Sequence, residues 1–211
     1  MEKPILFSTP MVQAILEGKK TQTRRVIKPQ PVFEGGYDYP HENELGIFWK
    51  KEESYESIEA FTVDCPYGKP GDTLWVRETW QLLPSGFDEI PPEMNYIYRA
   101  TDKLSSECTK WRPSIFMPRT AARLFLTVTN VRVERLQEIT KEDARAEGIN
   151  VGTVDTEKYE KSTAYRIFTD NLPIARFGDL WNSINTKRGY GWEKNPWVWI
   201  VEFKKIERGV E

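Results

Sequence analysis

Histidine is almost missing from this chain. His41 is the only one, and Cys65 and Cys108 are the only cysteines. Three such groups fall short of the four ligands that a closed structural zinc site requires. The two cysteines form neither a CxxC pair nor a disulfide framework. No metal and no cofactor are therefore expected, and both thiols are expected reduced. No apolar run reaches membrane-spanning length, and the first residues carry neither a long apolar core nor a small-residue cleavage site. These absences predict a cytoplasmic protein with no membrane partner. Charge of one sign is lacking too: 30 basic residues face 32 acidic ones, for a net charge of −2. Bulk attraction to nucleic acid is not expected, so any such contact must use a local basic patch.

Aromatic residues are abundant, with eight Trp, nine Tyr and ten Phe. Most belong in a core, and some suit stacking on bases. A chain of 211 residues is long enough for a single domain that buries roughly 70% of its unfolded surface.

The densest local signal lies in residues 9–25. Thr9 reads as an N-cap and Pro10 as the first helical residue. Met11, Val12, Ile15 and Leu16 then fall on one helical face. Gly18 fits the left-handed position after the helix end. The segment Lys19-Lys20-Thr21-Gln22-Thr23-Arg24-Arg25 follows at once. Its four cations suit an anionic ligand. A hydroxyl beside a lysine suits nucleophilic chemistry. The alternative is structural: cations often oppose the negative end of a helix, and Thr and Gln are ordinary strand residues.

Ile5-Leu6-Phe7 reads as a short buried strand, and residues 20–27 as an extended segment. Residues 30–70 read as a surface insertion with one hairpin, including Gly35-Gly36. Lys69-Pro70-Gly71-Asp72 is a type II turn. It leads into a strand over 73–80, with Leu74 and Val76 on one face and Trp75 and Arg77 on the other. Residues 81–94 read as loop and Tyr96-Ile97-Tyr98 as a strand. In 123–135, Leu124, Leu126 and Val128 share one parity, and Val131 and Val133 the other. That change predicts a bulge or a tight turn near Thr129-Asn130. Thr140 to Asp143 resembles a capping box, with a helix running to Glu147 and ended by Gly148. Residues 162–170 and 174–184 read as two helices, the second with Phe177, Leu180, Trp181 and Ile184 in one stripe. Trp197 to Phe203 is a terminal strand. The whole reads as α+β, a barrel with peripheral helices.

Gly18, Lys20 and Arg25 match the pattern G-x-K-x-x-x-x-R. The chain resembles ASCH domains, small β-barrels of the PUA-like superfamily. The helix-turn of 9–25, the Pro70-Gly71-Asp72 turn, the unit from Leu124 to Gly148 and the last strand follow the ASCH order. The resemblance covers about half of the chain and is nearest to the longer ASCH-related proteins of bacteriophages and prophages. It implies a PUA-like mixed β-barrel as one domain, with insertions at about 30–69, 81–115 and 150–173. Lys20-Thr21-x-Thr23-x-Arg25 is also similar to small bacterial N4-acetylcytidine amidohydrolases. That likeness implies Lys20, Thr23 and Glu147 as the catalytic set, with Glu138 and Glu142 close enough in sequence to compete for the carboxylate role.

In such a site neutral Lys20 activates the Thr23 hydroxyl, and burial beside Lys19, Arg24 and Arg25 lowers its pKa. Glu147 orients the lysine or carries the proton to the leaving amine. Lys20 and Thr23 have opposite parity, so the site requires a turn or bulge between them. Three functions follow: hydrolysis of N4-acylated cytidine-type nucleosides, non-enzymatic binding of a nucleotide or single-stranded RNA, and RNA cleavage. In the binding reading Lys19, Lys20, Arg24 and Arg25 hold phosphate, Trp75 or Trp80 stacks on a base, and Arg77 is a further binding residue. Glu78 and the segment Arg119 to Arg123 are further candidates for the cleft. RNA cleavage would have to proceed without a histidine pair. The ligand is thus a nucleoside, nucleotide or single-stranded RNA.

Overall fold

Trp197-Val198-Trp199-Ile200-Val201 is apolar at every position, a pattern that suits a strand covered on both faces. The computed structural model describes residues 1–30, 40–43, 46–49, 61–82, 96–102, 110–150 and 163–207, with backbone alone for 40–43, 46–49, 61–63 and 163–170. In chain order the elements are β1 (Glu2–Leu6), α1 (Thr9–Leu16), β2 (Gln22–Val26), β3 (Pro40–Asn43), β4 (Gly46–Trp49) and β5 (Phe61–Val63). Then come β6 (Thr73–Arg77), β7 (Trp80–Leu82), β8 (Tyr96–Tyr98), β9 (Phe125–Arg135), α2 (Lys141–Ala146), α3 (Thr163–Asn185) and β10 (Trp197–Lys205).

The fold is α+β around a mixed five-stranded sheet of order β1-β6-β9-β10-β2. β1 runs parallel to β6, and the other neighbours are antiparallel. β10 is an interior strand between β9 and β2, and all five residues from Trp197 to Val201 are buried. Its odd-numbered residues pack with Phe7, Val12, Ile15 and Leu74, on the α1 side. Its even-numbered Val198 and Ile200 pack with Phe177 and Trp181 of α3 and with Ala144 of α2. Each such large apolar side chain contributes about 1.5–3 kcal/mol through burial. The Asp72 turn anchors the first residue as well, its carboxylate lying 2.7 Å from the Met1 amino group.

The predicted bulge is present. Glu202 pairs with Asn130 and Phe203 with Val128, which leaves Thr129 without a partner across the ladder. The extra residue lets Val128 and Val131 enter the same core despite their opposite parity. The capping box is present too, with the Asp143 amide donating to Thr140 Oγ1 and the Thr140 amide to the Asp143 carboxylate.

Several expectations need correction. The sheet is not a closed barrel among the described residues, because β1 and β2 both remain edges. α1 carries the chain from one edge to the other and packs against the sheet, so no ladder joins them. Instead Arg25 Nη2 donates to Leu6 O at 2.7 Å, linking the two edges through a side chain. The helix N-cap is Ser8 rather than Thr9, with Pro10 within the first turn, where its missing N–H costs nothing. The two helices expected around Pro173 are one, α3. Pro173 is buried in it, and the packing of Phe177 and Trp181 outweighs the lost hydrogen bond. Residues 40–63 hold a three-stranded sheet β3-β4-β5 rather than one hairpin. His41 lies in β3. Gln81 and Leu82, expected in the loop over 81–94, belong instead to β7, and the rest of that loop, Gly35-Gly36 and Cys108 lie outside the described residues. Among the described residues no helix is long and apolar enough to cross a membrane.

Candidate functional site

The site begins where α1 stops. Gly18 has φ +71°, and the Lys19 and Lys20 amides both donate to Ala14 O, at 2.8 and 3.0 Å. This closes the helix end and turns the chain sharply. Lys20 then forms an isolated antiparallel bridge with Glu147, the residue that caps the C-terminus of α2. The Thr21 amide donates to Ala146 O at 2.8 Å. Lys20 thus pairs with the α2 end; the Phe203 amide of β10 donates to Thr21 O at 2.8 Å, and the ladder with β10 runs on from Gln22.

This break in pairing answers the parity difficulty. Thr23 and Arg25 pair with Val201 and Trp199, so they lie on the α1 side of β2. Lys20 Nζ lies 5.7 Å from the Phe7 ring, and the Arg25 guanidinium 5.2 Å from the same ring. Lys20 and Arg25 therefore converge on the Thr23 face, although Lys20 and Thr23 differ in parity.

Lys20 is wholly buried. Its Nζ donates to Glu147 Oε2 at 2.8 Å and to Glu147 O at 2.8 Å. Burial pushes the Lys20 pKa down, Glu147 opposes this, and the charges of Arg25 and Arg24 add to it. The net direction is downward, as a lysine that must accept a proton requires. Glu147 also approaches Arg24, with Oε1 at 3.5 Å from Nη1.

Arg24 points to the opposite face. Its guanidinium lies 3.1 Å from Asp143 and 3.4 Å from Glu134. Arg132 completes the network with Glu134, Asp143 and Glu202. Burial pushes the Asp143 carboxyl up, but the hydrogen bonds from Thr140 and Gln22 and the charge of Arg24 hold it at about 2. Arg24 is thus matched by carboxylates on its own side of the sheet.

Along the edge of β2 runs a cleft of about 380 Å³. This lies within the range of small-molecule sites. Thr23, Arg24, Arg25, Lys28, Asp64, Glu147 and Arg188 supply polar groups, and Tyr67, Phe177, Trp181 and Trp199 supply aromatic surface. The structure thus brings Thr23, Glu147 and Arg25 to one cleft, with Lys20 directly behind Glu147. Glu138 instead caps the Leu136–Glu138 turn through the Arg135 amide, and Glu142 lies 3.5 Å from Arg145. Lys19 is exposed and pairs with Glu17 at 2.6 Å. Trp75 and Arg77 lie on β6 and do not line this cleft, nor do Trp80, Glu78, Arg119 and Arg123. Glu78 and Arg123 pair with each other, as do Glu2 and Arg119.

Lys28, Tyr67, Arg188 and Trp199 went unmarked in the sequence reading. Only spatial proximity links them, since they come from four separate segments. Among the described residues no group of three or more His, Cys, Asp or Glu side chains is arranged to hold a metal ion.

Gly148 is the tightest joint in the site. It has φ +83°, and a Cβ there would sit 2.9 Å from Ala14 Cβ and 3.0 Å from Lys20 Cβ. Gly148→Ala is expected to cost about 1–3 kcal/mol in urea unfolding, from strain plus overpacking. The same substitution should displace Lys20 and lower any turnover by more than the lost stability explains. Wild-type stability and turnover in this variant would show that the contact is not restrictive.

Comparisons with protein-family models, with curated proteins and with solved structures give no match.

Proposed function

We propose that this cleft hydrolyses the acyl amide of N4-acylated cytidine-type nucleosides on a PUA-like scaffold, with ASCH domains as the related family. The observation that carries the reading is the wholly buried Lys20, held by Glu147 on the Thr23 face of β2, beside a cleft that Thr23 and Glu147 line. A lysine whose pKa is lowered beside a hydroxyl has the means to activate it.

The chemistry proceeds in two balanced steps. Thr23 Oγ1 attacks the amide carbonyl carbon and gives its proton to neutral Lys20. The tetrahedral intermediate breaks its C–N bond, and the proton passes to the departing exocyclic nitrogen. Cytidine leaves and an acyl ester remains on Thr23. Water then attacks the ester, with Lys20 again taking the proton. The carboxylic acid leaves and Thr23 regains its hydroxyl. Glu147 keeps Lys20 oriented through both steps.

Polymeric RNA is favoured less. Of the four cations that reading uses, Lys19 is paired with Glu17 and Arg24 with three carboxylates. The test is chromatographic: purified protein incubated with N4-acetylcytidine should release cytidine and acetate in equal amounts. Absence of turnover on N4-acetylcytidine and on a panel of other N4-acylcytidines would overturn the proposal.

A further inference from the structure

We infer that the ligand of this cleft carries an oxyanion, the phosphate of a nucleoside monophosphate, seated on Arg25 with Lys28 and Arg188 beside it. The inference rests on the reading of the cleft as a nucleoside site, and it names which form of nucleoside enters.

Adjacent arginines in β2 are treated very differently. Arg24 has carboxylates of Glu134, Asp143 and Glu147 within 3.5 Å. Arg25 has no carboxylate at ion-pair distance among the described residues. Its one hydrogen bond among the described residues goes from Nη2 to Leu6 O. Its Nε is buried and has no acceptor among the described residues. Phe7 and Tyr67 lie against the guanidinium, with ring centres at 5.2 and 5.8 Å, and offer no counter-charge beyond their π-faces.

Arg25 as a whole is half-buried, and even a partly desolvated guanidinium without an anion at contact distance carries a cost. The arrangement adds to that cost, since Arg188 lines the same cleft and its charge acts against that of Arg25. Lys28 lines the cleft as well. Glu147 acts on Arg25 with a favourable charge but bonds to Lys20 and Arg24, and Asp64 brings one further carboxylate to a cleft lined by Arg25, Lys28 and Arg188, so the offset is partial. A phosphate monoester supplies what is missing: two negative charges, and several acceptor oxygens that fit a planar guanidinium. The neighbouring aromatic surface of Tyr67 and Trp181 suits the base.

The test is isothermal titration of the purified full chain at low salt. Cytidine and cytidine 5′-monophosphate serve as probes because neither has an acyl group to lose, so binding is read without chemistry. The monophosphate is expected to bind about 10–100-fold more tightly, the range of one or two charge-assisted hydrogen bonds. Arg25→Gln should reduce that advantage to about threefold or less, while Arg25→Lys keeps part of it. Arg188 is exposed, so Arg188→Gln should lower the advantage in an undisturbed fold even where Arg25→Gln proves unstable.

Equal affinity for the two probes overturns the inference, as does an advantage that survives both Arg25→Gln and Arg188→Gln. Binding of neither probe at millimolar concentration also overturns it. A cytidine whose N4-acyl chain ends in a carboxylate, binding more tightly than the monophosphate, would move the anion to the acyl group and overturn the phosphate assignment. Turnover of N4-acetylcytidine without any preference for the monophosphate leaves the hydrolase reading standing and removes this one. A preference for the monophosphate without turnover does the reverse.

Discussion

Thr23→Ala is expected to lower N4-acetylcytidine turnover by on the order of a thousandfold or more, because it removes the attacking oxygen. A thousandfold loss corresponds to about 4 kcal/mol of transition-state stabilisation. Stability should change far less. Thr23 sits in an edge strand opposite Val201 and is buried, and such a truncation costs about 1 kcal/mol. Thr23→Val makes the separation cleaner. It keeps the β-branched shape that suits a strand and deletes only the hydroxyl. Its melting temperature should stay near that of the wild type while turnover is lost. Thr23→Ser keeps a hydroxyl and should keep measurable turnover. Each variant is read by cytidine release and by thermal unfolding. Turnover by Thr23→Val above a tenth of the wild-type rate would remove Thr23 as the nucleophile and leave a hydrolase, if one remains, with another attacking group.

The parts of the fold legible in the sequence were those written in local patterns. The helix-turn ending at Gly18, the parity change near Thr129, the Thr140 box and the apolar run of β10 all depend on neighbours close in sequence, and all are present. What failed depended on distant contacts. Whether strands close into a barrel is decided by which edges meet, and among the described residues no ladder joins the edges β1 and β2, which Arg25 links through a side-chain hydrogen bond to Leu6 O. Pro173 reads locally as a helix break, but packing of distant strands against Phe177 and Trp181 decides otherwise.

The contact between Lys20 and Glu147 spans 127 positions. It reached the sequence reading through a resemblance, not through any periodicity. Arg24 and Arg25 show the same limit more sharply. Two adjacent arginines look alike in a sequence, and both reach the cleft, yet strand alternation gives Arg24 three carboxylates and Arg25 none at ion-pair distance among the described residues.

Glu147 carries the second large expected effect, and this one is on stability. Its carboxylate is the only acidic group within ion-pair distance of the buried Lys20 among the described residues. Glu147→Gln leaves Lys20 able to bond the main-chain oxygen of residue 147, 2.8 Å away, but without its counter-charge. Removing one partner of a buried pair costs about 3–5 kcal/mol. Arg24 suffers less, since Glu134 and Asp143 remain. The loss should depend on pH in a defined direction. Burial lowers the Lys20 pKa in the fold below the 10.5 of the free side chain, and loss of the carboxylate lowers it further. Between the folded and unfolded pKa values the unfolded chain binds more protons, so stability rises with pH. The deficit of Glu147→Gln in urea unfolding should therefore shrink from pH 7 towards pH 10. Lys20→Met provides the second check. In the double variant no ammonium is left to bury, so most of the deficit should return, a coupling of the kind contacting residues show. A Glu147→Gln protein within about 1 kcal/mol of the wild type at pH 7 would mean that water or another group satisfies Lys20. A double variant no more stable than Glu147→Gln would mean that the pair does not set the stability of this end of the sheet, and the case for a strained, proton-accepting lysine at position 20 would fall with it.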